Sequence, residues 1–431
     1  MLLLHRPRTW LRAAAVGLLA MVAAGCDTAY PNSTFHSNTD FNAAVDHLWN
    51  QLLFWGTLVF IAVEAALVWV IIRYRRRPNT PDPKPVHGNT TLEIVWTAIP
   101  AVILVFIAIP TVKTIFQTQA KAPASSLTVE VIGHQWWWEF RYPEQKVVTA
   151  NELYLPIGRT VNFALTTKDV LHSFWIPQLG GKRDLITNRV NHLWFTVDSS
   201  LASASYNGAC AEFCGPSHAN MKFRVYTVTK DEFARWALHQ ARPAVFPAPA
   251  PTAAPTPAVS AAPGTATPLI AAALQPTDSA PSVIAAPPTA EPAPFVFPRE
   301  KIPSHVVPST PLPPGLAWTE TPGDAERGRQ LYSRSSCIGC HAIAGNAMSA
   351  GIIGPNLTHF GSRYTLGAGL YPNDTRHLAL WIKNARLMKP GSIMPALGKG
   401  EYDPILKMKV TTGGLTDQDI ADVVAYLQAL K

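Results

Sequence analysis

Two apolar runs, "LWNQLLFWGTLVFIAVEAALVWVII" at residues 48–72 and "IVWTAIPAVILVFIAIPTVKTIF" at residues 94–116, restrict this chain more than anything else in it. At about 1.5 Å per helical residue each is long enough to cross a hydrocarbon core of ~30 Å. The chain therefore cannot fold as one water-soluble globule; it must carry a transmembrane two-helix hairpin. Between the runs stands "RYRRR", with Arg73, Arg75, Arg76 and Arg77, and Lys84 beyond it. Positive residues stay on the cytoplasmic side, so both outer ends of the hairpin face the exported side.

The N-terminus agrees with that orientation. Arg6, Arg8 and Arg12 precede the apolar stretch "AAAVGLLAMV" and small residues that end at Cys26 in "AAGC". Residues 1–25 read as a lipoprotein-type signal peptide, cleaved before a cysteine that becomes lipidated, with an ordinary cleaved signal as the alternative. Either form exports the mature N-terminus. The net charge of +8 could suggest nucleic acid, but part of it lies in the signal and part beside a span. It sets topology, so nucleic acid binding is not expected.

Beyond the hairpin the pattern changes. Short runs such as "LTVEVIG", "TVNFALT", "HLWFTV" and "FRVYTV", separated by Gly, Pro, Asn and Asp, predict an antiparallel all-β sandwich or barrel within residues 121–240. Residues 241–318 are dominated by proline and alanine, account for much of the chain's 39 prolines, and predict a disordered linker. Residues 319–431 regain a folded composition and end in "LTDQDIADVVAYLQALK", where Ile420, Val423, Val424, Leu427 and Leu430 recur at helical spacing behind Thr416. A small all-α domain closes a multidomain chain.

The five cysteines do not read as a disulfide framework. Cys337, Cys340 and His341 in "CIGCH" spell a c-type haem attachment site, with two thiols for the porphyrin and an imidazole for the iron. Met394 in "KPGSIMPAL" is the expected second axial ligand, because the segment resembles the distal loop of class I cytochromes c; Met348, Met388, Met408, His359 and His377 are its competitors. Cys210 and Cys214 in "CAEFCGPSHANM" stand four apart with His218 and Met221 close behind. That soft to borderline set favours copper; zinc is the rival, although a structural zinc site seldom uses methionine. A blue-copper site takes one cysteine, so the second thiolate argues for two bridged coppers, and His172 in "DVLHSFWIP" offers another imidazole.

Residues from about 40 to 235 resemble subunit II of cytochrome c oxidase, in the haem–copper oxidase superfamily. "LEIVWTAIPA", "GHQWWWEF", "DVLHSFWIP" and "CAEFCGPSHANM" carry the likeness, and the appended haem domain matches a subtype whose subunit II bears its own haem c. The resemblance implies a cupredoxin domain with a binuclear CuA centre: Cys210 and Cys214 bridging, His172 and His218 on one copper each, Met221 and the carbonyl of Glu212 as weak ligands. It also implies Trp136 as the electron-entry residue, the Glu212 carboxylate near a magnesium or manganese ion shared with subunit I, and Glu93 at the mouth of a proton channel. "ITNR" at residues 186–189 departs from a Pro-Gly-Arg turn common in that family, and Glu64 inside the first span has no role to import; an intramembrane carboxylate there is expected to meet a partner helix.

The resemblance thus implies an electron-entry subunit in a bacterial plasma membrane, with its metal domains on the extracytoplasmic side. Electrons would come from an external cytochrome c or small copper protein, pass from the haem c to CuA, and leave for subunit I, where dioxygen is reduced with proton pumping. The chain lacks the buried histidines that oxygen reduction itself needs, so it requires that partner. Nitric oxide reduction in the same superfamily and copper delivery are the alternatives. The intact copper ligand set argues against quinol as donor.

Overall fold

The computed structural model describes residues 16–17, 20, 32–78, 85, 87–244, 246 and 293–431. Cys26, Lys84 and most of the expected linker lie outside them. Helix α1 (Asp40–Arg73) starts where the Thr39 hydroxyl accepts from the amide of Asn42, with Asp40 in its first turn and Arg73 in its last, as the helix dipole favours. Helix α2 (Thr90–Gln119) is capped by Asn89 and keeps Pro100 and Pro110 inside it. Both helices are apolar and exposed over their most hydrophobic stretches, and they reach beyond the expected spans at Asp40 and Gln119. Trp55 and Phe106 stack between them at 5.8 Å. Glu64 is exposed on α1.

Ten strands follow: β1 (Leu127–His134), β2 (Trp137–Tyr142), β3 (Val147–Ala150), β4 (Glu152–Pro156), β5 (Thr160–Thr167), β6 (His172–Trp175), β7 (Arg183–Leu185), β8 (Asn191–Thr196), β9 (Ala204–Cys210) and β10 (Lys222–Val228). They form two five-stranded sheets, in the orders β3-β2-β1-β5-β8 and β4-β10-β9-β6-β7. Alternation along β5 puts Val161, Phe163 and Leu165 inward, against Trp138, Phe140, Phe174, Phe195 and Phe223, all fully buried. The antiparallel expectation needs one correction. β1 with β5, and β10 with β4, pair in parallel, because the chain crosses between the sheets before each of those strands joins its neighbour.

The sandwich stands on the Asp40 end of α1 and the Gln119 end of α2. The amide of Thr196 donates to Asp40, the Thr39 hydroxyl to the carbonyl of Leu179, and the Trp194 indole to the carbonyl of Ala120. Helix α3 (Lys230–Gln240), with a capping box between Thr229 and Glu232, closes the sandwich.

The described chain resumes at Ala293, well before the expected linker end at 318. Phe295 and Phe297 are buried in the sandwich core, Asn207 binds the carbonyl of His305, and Arg224 that of Val306. Two aromatic rings among prolines supply the apolar burial that a composition of proline and alanine lacks.

The last domain is helical: α4 (Ala325–Arg334), a single turn α5 (Cys337–Cys340), α6 (Thr375–Met388) and α7 (Asp417–Ala429), with two short hairpins at β11–β12 (Thr365–Leu366, Tyr371–Pro372) and β13–β14 (Tyr402–Asp403, Met408–Lys409). α4 crosses α7 at Gly328, where a Cβ would collide with the carbonyl of Asp422, so only glycine permits this approach. The buried Asp422 carboxylate accepts from Arg327 and from the amide of Asp324.

Candidate metal centres and the face between them

The first centre lies where β6, the end of β9 and the loop after it meet. Cys210 Sγ stands 3.7 Å from Cys214 Sγ, 3.8 Å from His172 Nδ1 and 3.2 Å from the carbonyl oxygen of Glu212. Cys214 Sγ stands 3.7 Å from His218 Nδ1 and 3.9 Å from the Met221 sulfur. All six groups named from the sequence thus converge, one imidazole beside each sulfur. The thiols also share a proton: the hydrogen bond from Cys214 lowers Cys210, and the same bond raises Cys214. Two sulfurs, one of them held toward its thiolate, flanked by two ring nitrogens and a thioether, fit soft-metal ligation.

His172 is oriented by a residue the sequence reading left unassigned. Its Nε2 donates to Asp169 at 2.8 Å, which leaves Nδ1 as the lone-pair nitrogen facing Cys210. Burial opposes protonation of His172, but Asp169 and Cys210 outweigh it and raise its pKa.

The second centre is a cavity of about 190 Å³, partly open to solvent, walled mostly by the helical domain and closed on one side by Trp136 and its neighbours on the sandwich. Cys337, Cys340 and His341 line it together with Met394. His341 donates from Nδ1 to the carbonyl of Pro355 at 2.8 Å, so Nε2 is its free lone pair, and burial holds its pKa below the usual range. Gly354 permits the imidazole's position, since a Cβ there would lie 2.5 Å from the ring. An apolar cavity with two thiols, a neutral imidazole and a thioether on its walls fits a covalently held haem.

None of the expected rivals of Met394 lines the cavity. Met348 and Met408 are exposed, while Met388 is buried in the helical core. His377 pairs with Asp374 at the start of α6, and His359 packs on the sandwich through the carbonyl of Arg242.

Trp136 belongs to both centres. Its indole lines the cavity, and its Nε1 donates to the carbonyl oxygen of Cys214 at 2.9 Å, where Gln135 Nε2 also donates. Trp137 stacks on His134 at 4.1 Å, and Trp138 is fully buried in the sheet. The haem-domain side of this contact was invisible in the sequence. Lys389 reaches the carbonyl of Trp136, the Ser217 hydroxyl donates to the carbonyl of Pro390, and Gly391 lies against the Trp136 ring.

Glu212 and its neighbour Phe213 are exposed beside the sulfur pair, and Glu93 is exposed in the first turn of α2. Neither carboxylate makes a hydrogen bond or ion pair among the described residues. His36, His47, His134, His192 and His239 are likewise absent from both centres.

Three family models match this chain: cytochrome c oxidase subunit II, transmembrane domain, over residues 35–114; its periplasmic domain over residues 145–228; and cytochrome c over residues 325–431. The chain is 30% identical to cytochrome c oxidase subunit 2 of Alkalihalophilus pseudofirmus over 380 residues, covering 87% of this chain and 83% of that one. It is 28% identical to the same subunit of Bacillus subtilis over 379 residues, covering 84% and 82%. Among solved structures, the periplasmic domain of subunit II of cytochrome oxidase from Bradyrhizobium japonicum aligns with 29% identity over 28% of this chain and 96% of that one, at a TM-score of 0.26.

Proposed function

We propose, from the premise that this chain belongs to the cytochrome c oxidase subunit II family, that it is the electron-entry subunit of an oxidase that reduces dioxygen. It is a membrane protein with a periplasmic domain and an attached cytochrome c domain. When bound, a haem c and a pair of coppers supply one-electron redox chemistry with little change of geometry. Residues 121–240 form the copper domain and 319–431 the haem domain in this reading.

Cys337 and Cys340 would hold the haem covalently, and His341 and Met394 would supply nitrogen and sulfur to its iron. Cys210, Cys214, His172, His218, Met221 and the Glu212 carbonyl would hold the pair of coppers. Trp136 is the relay between the two centres. The single observation behind this is that its indole lines the haem cavity while its N–H binds the carbonyl of a copper ligand.

The exposed Glu212 carboxylate is assigned to a magnesium or manganese ion shared with subunit I, and Glu93 to the mouth of a proton channel there. Cys26 is the lipidation site. The partners are subunit I, further oxidase subunits, and an external cytochrome c or small copper protein; proton pumping belongs to the whole complex.

Electron paramagnetic resonance of the copper- and haem-loaded chain tests the assignment. One electron spread over two coppers is expected; a single-copper spectrum or bound zinc would overturn it. Trp136→Phe should slow transfer from the haem to the coppers at least tenfold, about 1.4 kcal/mol or more in barrier, with both spectra intact.

A further inference from the structure

A disordered linker over residues 241–318, as the sequence predicts, would leave the haem domain loosely tethered. The contacts between the domains argue otherwise. Lys389, 4% exposed, donates to the carbonyls of Trp136 at 2.5 Å and Gly367 at 3.2 Å, so one ammonium joins the relay residue to the haem domain. At the other end of the contact Glu152, 3% exposed and on the sandwich, accepts from the amides of Tyr364 at 2.7 Å and Thr365 at 3.0 Å. Between them the buried Arg224 donates to the carbonyl of Gly369 at 2.9 Å, and the amide of Lys222 to that of Ala368 at 3.2 Å.

Both ends of the connecting chain are fastened as well. On leaving the sandwich it pairs Ala244 with Ala344 and sets Phe246 on Tyr426 at 5.4 Å; on returning it buries Phe295 and Phe297. A transient contact would leave charged groups at its rim, hydrated and cheap to separate. Here the Lys389, Glu152 and Arg224 side chains are all buried, and burial pushes Lys389 down to about 7 and Glu152 up, toward their neutral forms. Each of these side chains is bonded to backbone groups of the other domain or beside it, so removing one of them while the faces stay together would leave buried carbonyls and amides without a partner.

We propose that the haem domain works permanently docked, pinned by Lys389 and Glu152, so that Trp136 takes electrons only from this chain's own haem and is closed to soluble donors. One electron leaves the reduced haem and one enters the oxidised copper pair; no bond or proton moves. External donors must then dock on the haem domain itself. Lys389 and Glu152 are positioning residues, touching neither centre's ligating atoms. The inference rests on the electron path proposed above, but the docking it requires can be measured separately.

The test uses the complete oxidase. Hydrogen exchange of residues 364–369 and 389–392 should be slow in the native complex and at least tenfold faster in Lys389→Met and Glu152→Ala. Electron transfer from haem to copper should be independent of solvent viscosity in the native complex. In both variants it should be about tenfold slower and fall with viscosity, while the haem absorption and copper resonance stay unchanged, and Lys389→Arg should restore most of the rate. Rapid exchange at those amides, or a native rate that falls with viscosity, would overturn the dock. A Trp136→Phe rate equal to native, with the amides still protected, would instead overturn the electron path and leave the dock standing.

Discussion

Asp169 accepts the Nε2 proton of His172 at 2.8 Å, and the opposite ring nitrogen of His172 then faces Cys210 at 3.8 Å. The carboxylate is itself held by the amides of Gln135 and Val170, and although burial opposes ionisation, the bonds from His172 and these amides lower its pKa. Such partners fix tautomer and ring angle in metal sites. Asp169→Ala should lower copper affinity roughly 10–100-fold while leaving the haem spectrum unchanged, measured by competitive copper titration.

Met394 offers a second, independent check. It is the methionine on the cavity wall, whereas Met388 is locked in the core with its carbonyl bound by Tyr371. Met394→Ala should therefore keep the haem covalently attached through Cys337 and Cys340, yet abolish the low-spin thioether spectrum and lower the haem potential. An unaltered spectrum would place the sixth ligand elsewhere.

Much of each centre was legible because its ligands are local. Cys210, Cys214, His218 and Met221 fall within twelve residues, and "CIGCH" is contiguous. The dock was not, because its partners are backbone atoms far away in sequence: Lys389 meets a carbonyl 253 residues earlier, and Glu152 an amide 212 residues later. No side-chain pattern marks a carbonyl acceptor. Strand direction failed for a related reason, since the parallel pairing of β1 with β5 depends on how the chain crosses between sheets, which alternation does not encode. Phe295 and Phe297 were hidden by the prolines around them.

Gly328 tests the helical domain's crossing. A Cβ there would press on the Asp422 carbonyl, which α7 cannot move without shifting its whole turn. Gly328→Ala should cost about 3 kcal/mol and lower the thermal midpoint of the helical domain, with the copper resonance unaffected. Calorimetry of the loaded chain resolves this, and an unchanged midpoint would mean that the helices separate freely.

The dock should also weaken in acid. His239 of α3 packs against His359 of the haem domain, ring centres 4.6 Å apart and tilted by 48°. Burial holds both imidazoles below their usual range; His359 and Arg242 press further on His239, and Arg363 on His359, partly opposed by the Arg242, Lys431 and Gln240 carbonyls. Glu152 and Tyr154 face the same small cavity from the sandwich; burial raises the pKa of Glu152, so its own contribution runs the other way and favours the dock as pH falls, and the His239→Phe comparison below separates the two. Undocked or unfolded, each ring would take a proton near its ordinary pKa of about 6.5. The open state therefore binds more protons between that value and the lowered one, so docking is fully favourable above it and is lost as pH falls through the docked-state value. Hydrogen exchange of residues 357–365, corrected for its intrinsic pH dependence, should accelerate between about pH 7 and pH 5. His239→Phe keeps the ring contact and removes one titrating group, so it should flatten that dependence; a profile as steep as the native one would assign the acid sensitivity to other groups.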